Sequence, residues 1–337
     1  MLKKFASVLL LTAMLFTVSC QKAATANDLA ATVAATSDTV TVSAAAMTYF
    51  YNDTVLSFLN HYAAVVDKLG LDPSKPLSEQ KMNNREDTWH EYFLNSTCTL
   101  MYHLVSLNEA AKAEGTALTD AEITAITTRA QAVSEGSYGA GVNAEAVTEA
   151  RLLEALAYKH QEIKEAELEP TDEEIDAYIA ENKKNFKYDE TATLNVRHIM
   201  LFDTSFKDHE AALDKANELL DILKADTSAD AFTRIALQYS DDPSSCYAGG
   251  LYPDLAPEKS IKEVDKWCFD PTRKVGDIAV IESEYGCHIV YIEDEGRPVW
   301  QAEIASEIVS ERFDKLSDAY HADYFVSFSK DALSMIK

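Results

Sequence analysis

The chain has 337 residues, 47% of them hydrophobic, and carries 56 acidic against 30 basic side chains for a net charge of −26. That length and apolar content favour two domains over a single core. So acidic a surface excludes charge-driven docking on nucleic acid or anionic lipid, both of which would repel it.

Lys3 and Lys4 open the chain, and a short apolar run from Val8 to Val18 follows. The run is too short to span a bilayer comfortably and is bounded like a processing signal. It ends in Thr17-Val18-Ser19-Cys20. A small residue directly before a cysteine, after such a run, resembles a lipoprotein signal, although Thr17 stands where leucine is usual. An ordinary secretory signal is the alternative. On the lipoprotein reading, residues 1–19 are removed and Cys20 is acylated. The mature chain is then anchored on the extracytoplasmic face of the cell membrane without a transmembrane helix. Residues 20–43, rich in Ala, Thr, Ser and Val, read as a flexible tether.

From Ala44 the pattern is helical. Met47, Phe50, Tyr51, Val55, Phe58, Leu59 and Tyr62 recur at helical spacing until Gly70 and Pro73. A second run spans Asp87 to Ala113, with Gly115 placed to cap it. Thr119 and Glu122 form a capping box for a third helix, Asn143 caps a fourth reaching about Ala166, and Thr171 with Glu174 opens a fifth reaching Phe186. Residues 44–190 thus read as an all-helical domain. His61, His90, His103 and His160 are scattered without ligand spacing, so no metal is expected.

The next stretch changes period. Leu194, Val196, His198, Met200 and Phe202 alternate along a half-buried strand. His288 shares parity with Val290 and Ile292 in a later strand-like run. Both imidazoles therefore face apolar interior, where each must place a donor and an acceptor, and a second imidazole is an economical partner. Between the strands lie two amphipathic stripes. One is Ala212, Ala216, Leu219, Leu220 and Leu223; the other is Phe232, Ile235, Ala236 and Tyr239. After Pro298, residues 300–322 form a last amphipathic helix. It must bury its face somewhere, and the N-terminal helices can accept it. Cys98, Cys246, Cys268 and Cys287 match no disulfide scaffold and read as free thiols.

The segments RHIM, AFTRIALQYSDD, AGGL, KVGD and YGCHIVYI, in that order, resemble the parvulin-type peptidyl-prolyl isomerases over roughly a hundred residues. The resemblance implies an α+β chain. Its parvulin domain, residues 191–297, is a four-stranded antiparallel sheet wrapped by helices. It also implies a catalytic set of His198, Asp242, Ser283 and His288: the two histidines pair, Ser283 joins them, and Asp242 lies beside the substrate carbonyl. No cofactor is implied. The stretch that should shape the proline slot departs from the family. Leu251 serves as one wall, with Ser260 or Ile261 and then Val264 where larger apolar residues are usual. Smaller walls imply a looser slot and slower turnover.

A helical module of residues 44–190 completed by 298–337, with the isomerase domain inserted, is similar to the PrsA-like foldase lipoproteins and SurA-type chaperone-isomerases. The implied partners are unfolded or proline-containing secreted polypeptides. Exposed aromatics on the N-terminal helices suit either a client cradle or a homodimer face. The competing expectation is a non-catalytic chaperone whose parvulin domain is a scaffold. A solute-binding lipoprotein is disfavoured, since paired α/β lobes are not implied.

Overall fold

The structure, a computed structural model, describes residues 24–83, 85–133, 137–182 and 187–337. The expected signal peptide over residues 1–19, Cys20 and the expected reach of the fifth helix to Phe186 lie outside the described residues.

The N-terminal region departs first from expectation. Residues 24–43 are not a tether: they form helix α1 (Ala26–Ala31), strand β1 (Val33–Thr36) and strand β2 (Thr41–Ser43). Ala34, Ala35, Val40 and Val42 are buried. Small side chains let a strand lie close beneath a helix, and the same residues give a composition that reads as linker. The β1–β2 turn is fixed by Glu109, whose carboxylate accepts the Thr39 and Val40 N–H groups at 2.7 and 2.8 Å and the Thr39 hydroxyl at 2.7 Å. These charge-assisted bonds satisfy a carboxylate that is itself buried.

The helices begin and end where cap chemistry places them. Helix α2 (Ala44–His61) starts at the Ser43 hydroxyl, and α3 (Trp89–Glu114) has a Thr88–Glu91 capping box and ends on Gly115 at φ 81°. Helix α4 (Asp120–Gln131) opens on the Thr119–Glu122 box, α5 (Ala144–Glu167) on Asn143, and α6 (Asp172–Asn182) on the Thr171–Glu174 box.

Next come strand β3 (Ala192–Phe202), helices α7 (His209–Ala225) and α8 (Ala229–Tyr239), strand β4 (Leu251–Leu255), helix α9 (Lys262–Cys268), and strands β5 (Ile278–Ser283) and β6 (Gly286–Pro298). Helix α10 (Val299–Asp323), strand β7 (Ser327–Phe328) and helix α11 (Lys330–Leu333) end the chain.

Two compact units result, and they do not divide at 190 and 297. One holds the described residues up to Ala117 with Ala130–Ala157 and Ala319–Lys337; the other holds Leu118–Arg129 and Tyr158–Asp318. The first unit is helical but includes a small antiparallel sheet in the order β2-β1-β7, which the sequence pattern did not suggest. Its C-terminal residues meet α3: Tyr320 donates to Glu114 at 2.7 Å, and Tyr102 donates to the His321 carbonyl at 3.1 Å.

The second unit contains the four-stranded sheet, ordered β4-β3-β6-β5 with every pair antiparallel. Both faces of the sheet are covered, so β3 is not the half-buried strand its alternation suggests. Ile199, Leu201, Cys287 and Ile289 pack beneath the apolar stripes of α7 and α8. Val196, Val290 and Ile292 pack on the other face against Val264 and Cys268 of α9. Ile175 and Ile179 of α6 close on Ile304, Ala305 and Ile308 of α10 in a separate cluster. Cys98, Cys246, Cys268 and Cys287 are thiols.

Candidate active site

The site forms on the α9 face of the sheet. In the β3–β6 ladder, Met200 stands opposite His288 and His198 opposite Val290. Residues directly opposed share a face, so the two histidines are diagonal neighbours on adjacent strands. His198 Nε2 lies 2.8 Å from His288 Nδ1. The rings are nearly parallel, 17° apart in plane with centroids 5.1 Å apart. His288 Nε2 is 2.8 Å from Ser283 Oγ, on β5 next to β6. His198 Nδ1 faces Asp242 Oδ2 at 3.2 Å.

Asp242 sits in the turn that follows α8. Burial raises the cost of its charge, but hydrogen bonds from His198, Ser244, Ser245 and Tyr252 outweigh that and hold its carboxyl well below the usual carboxylate range. Ser244 N–H donates to Oδ1 at 3.0 Å, and Ser245 Oγ and Tyr252 OH donate to Oδ2 at 2.7 and 2.8 Å. Burial, with His198 alongside, pulls His288 down to about 4 against the attraction of Asp242.

An ionised Asp242 only accepts, so His198 Nδ1 is the donor of that link. Ser283 Oγ meets His288 Nε2 and lies 3.3 Å from the Gly286 carbonyl, to which its hydroxyl can donate. Ser283 Oγ in turn accepts the Tyr285 N–H at 3.1 Å. All four imidazole nitrogens are engaged. The turn is built to match: His198 N–H donates to the Gly250 carbonyl at 2.7 Å. Gly250 has φ 78°, and a Cβ there would fall 2.5 Å from the His198 carbonyl oxygen.

His198, Asp242, Ser283 and His288 are therefore one connected chain. The expected slot residues divide. Val264 is buried against the sheet, Ile261 packs at the edge of the same cluster, and Ser260 is half-buried. Leu251 is misplaced in the sequence reading. It stands opposite Arg197, whereas Tyr252 stands opposite Val196, so Tyr252 and not Leu251 shares the face of the imidazoles. A one-residue slip moves a side chain to the other face. Both oxygens of Asp242, expected beside a substrate carbonyl, accept hydrogen bonds from protein donors.

Sequence reasoning missed Tyr252, Ser244, Ser245, Trp267 and Phe269. The serines were legible, because hydroxyls two and three residues after an aspartate are natural partners in an Asx turn. Trp267 and Phe269 join Tyr252, Ile261 and Ile281 as the partly buried rim of the α9-face cluster. The α9 face of the sheet thus carries aromatic rings that the sequence reading did not single out.

Residues 159–296 match the family model of the PPIC-type PPIASE domain. Foldase protein PrsA of Geobacillus kaustophilus (strain HTA426) is 28% identical over 147 residues, which are 43% of this chain and 47% of that protein. The chain thus spans about half the length of that curated relative. Among solved structures, PrsA from Bacillus subtilis aligns at 19% identity and a TM-score of 0.30, covering 74% of this chain and 87% of that one. Peptidylprolyl isomerase PrsA from Bacillus cereus aligns at 18% identity and a TM-score of 0.26, covering 69% and 82%. The stretch that matches this family model encloses the sheet, the paired imidazoles and the Asp242 turn, and this part of the chain is similar to the PPIC-type isomerase domain and to the PrsA foldase.

Proposed function

We propose that the second unit catalyses cis–trans isomerisation of X-Pro peptide bonds and that the whole chain assists the folding of unfolded, proline-containing polypeptides outside the cytoplasmic membrane. The observation that carries this reading is the pairing, on one sheet face, of a closed polar chain with a rim of partly exposed Tyr252, Trp267, Phe269, Ile261 and Ile281.

Rotation about a prolyl bond breaks no covalent bond. Its barrier of about 18–20 kcal/mol is the loss of amide resonance, and uncatalysed exchange takes tens to hundreds of seconds, roughly. The twisted transition state has lost much of the amide's charge separation, so an apolar surface favours it over the planar ground state. Each ~1.4 kcal/mol gained that way is tenfold in rate. With every imidazole nitrogen engaged, His198 and His288 act as a rigid floor and not as proton donors to substrate. Asp242 and Ser283 fix the two ends of that floor.

The same closure favours a second reading, a chaperone in which this domain is a scaffold. Protease-coupled turnover of a prolyl tetrapeptide by the full chain separates the two. Activity that disappears in His198→Ala, with the fold retained by circular dichroism, supports the enzyme. Equal rates with and without protein leave only the scaffold.

The first unit offers a client surface. Phe58, Tyr62, Trp89 and Tyr92 form an aromatic group, with Tyr62 and Val65 exposed. Suppression of aggregation of an unfolded client by the full chain, and sedimentation of the chain alone, distinguish a cradle from a dimer face. Among the described residues no helix is long and apolar enough to cross a membrane. Attachment is assigned to acylation of Cys20, which Cys20→Ala would abolish in membrane fractionation.

A further inference from the structure

The turn that carries Asp242 is gripped from outside the sheet. Asp241 Oδ1 takes Arg129 Nη2 at 2.9 Å, and the two side chains are only 15% and 18% exposed. The other Asp241 oxygen accepts the Phe202 N–H at 2.9 Å, and the Asp241 N–H donates to the Met200 carbonyl at 2.7 Å. Beyond Ser245, the Tyr247 ring stacks on Tyr158 with centroids 5.4 Å apart and planes 17° apart. At the far end of the turn, Arg197 Nη1 donates to the Gly249 carbonyl at 3.1 Å, and the Arg197 charge acts on Glu162 of α5. Lys159 pairs with Glu122 at 2.8 Å, which braces the α4 and α5 residues into one support.

Resting on the isomerase reading above, we propose that Arg129 and Tyr158 are positioning residues of that site, holding the Asp242 turn in register with His198. Both precede residue 159, where the family match begins. The argument is geometric. The Asp242–His198 link is 3.2 Å, the longest in a chain whose other links are 2.8 Å. At that length a shift of a few tenths of an ångström ends the bond. Asp241 is adjacent to Asp242, so the grip of Arg129 on its carboxylate fixes the backbone from which Asp242 projects.

The test uses the full chain with Arg129→Ala, Arg129→Lys and Tyr158→Leu. Two readouts are needed: kcat/KM on a prolyl tetrapeptide, and the proton resonance of His198 Nδ1–H. The expected result for Arg129→Ala is about a tenfold fall in kcat/KM, as a sub-ångström misplacement produces, with the Nδ1–H resonance shifted or broadened. Arg129→Lys restores most of both, and Tyr158→Leu gives a smaller change in the same direction. An Arg129→Ala chain, or a Tyr158→Leu chain if the former does not fold, with wild-type resonance and wild-type rate overturns the proposal. So does a rate that falls while the resonance stays put. If the wild-type chain has no isomerase activity, the isomerase reading fails alone, because the resonance still reports whether Arg129 positions Asp242.

Discussion

His198 Nε2 and His288 Nδ1 are joined by a 2.8 Å hydrogen bond that leaves neither ring a free nitrogen. Burial favours the neutral form of His288 and holds its pKa down to about 4. In the unfolded chain an imidazole titrates near 6.5, so on acidification the unfolded state takes up a proton first. Stability is therefore full above about pH 6.5 and falls as the pH drops from there to about 4, by on the order of 3 kcal/mol. Denaturant titration of this unit between pH 7.5 and 4 should show that loss, and His288→Asn should remove most of the pH dependence while lowering stability at neutral pH. Identical slopes in the two proteins would refute the assignment.

Tyr252 couples the two halves of the site. Its ring belongs to the apolar rim and its hydroxyl donates to Asp242 at 2.8 Å. Tyr252→Phe keeps the ring and removes one of several bonds to a charged acceptor, about 1.5 kcal/mol, or roughly tenfold at most in rate if all of it reaches the transition state. Tyr252→Ala removes the wall as well and should cost more than the phenylalanine variant. Peptide turnover by the two variants tests this; equal rates would mean that the ring plays no part in the slot.

Val264 gives the opposite expectation from the sequence. Read from the motif alone, Val264→Phe should enlarge an undersized wall and raise the rate. In the fold, Val264 is 4% exposed between α9 and the sheet. Added carbons have no room there, and overpacking costs about 1–3 kcal/mol. The variant should melt earlier and turn over no faster. A faster variant of unchanged melting temperature would put Val264 in the slot after all.

The difference between these residues shows where sequence legibility ends. Ser283 and Asp242 were reached only through the resemblance to the parvulin family, whereas His198 and His288 were readable because the period of their segments fixes their direction. Likewise Ser43, Thr88, Thr119, Asn143 and Thr171 announced helix starts through the N–H groups they cap. Leu251 and Tyr252 were not separable, because β4 has an irregularity between the positions facing Leu194 and Val196, with Asp254 at φ 50°. Period-two counting fails across such a break. The β1–β2 hairpin was hidden for another reason: its alanines and threonines carry little hydrophobic signal, and its anchor, Glu109, is some seventy residues away.

His209 supplies a second pH dependence, of opposite sign. Its Nε2 lies 2.8 Å from Glu282 and its Nδ1 lies 2.8 Å from Asp203, so a carboxylate faces each nitrogen. Only the doubly protonated ring donates to both. The hydrogen bonds to Glu282 and then Asp203 raise its pKa above the ordinary histidine value, against the opposing effect of desolvation. A raised folded-state pKa stabilises most below the unfolded value near 6.5, and that contribution is lost as pH rises through the raised value. The link ties the start of α7 to β5 beside Ser283, so its release loosens the hairpin that holds the end of the imidazole chain. Melting temperatures of the wild type and His209→Gln should differ at pH 6 and converge at alkaline pH. A gap that stays constant across that range would show that His209 holds the two carboxylates without its charge.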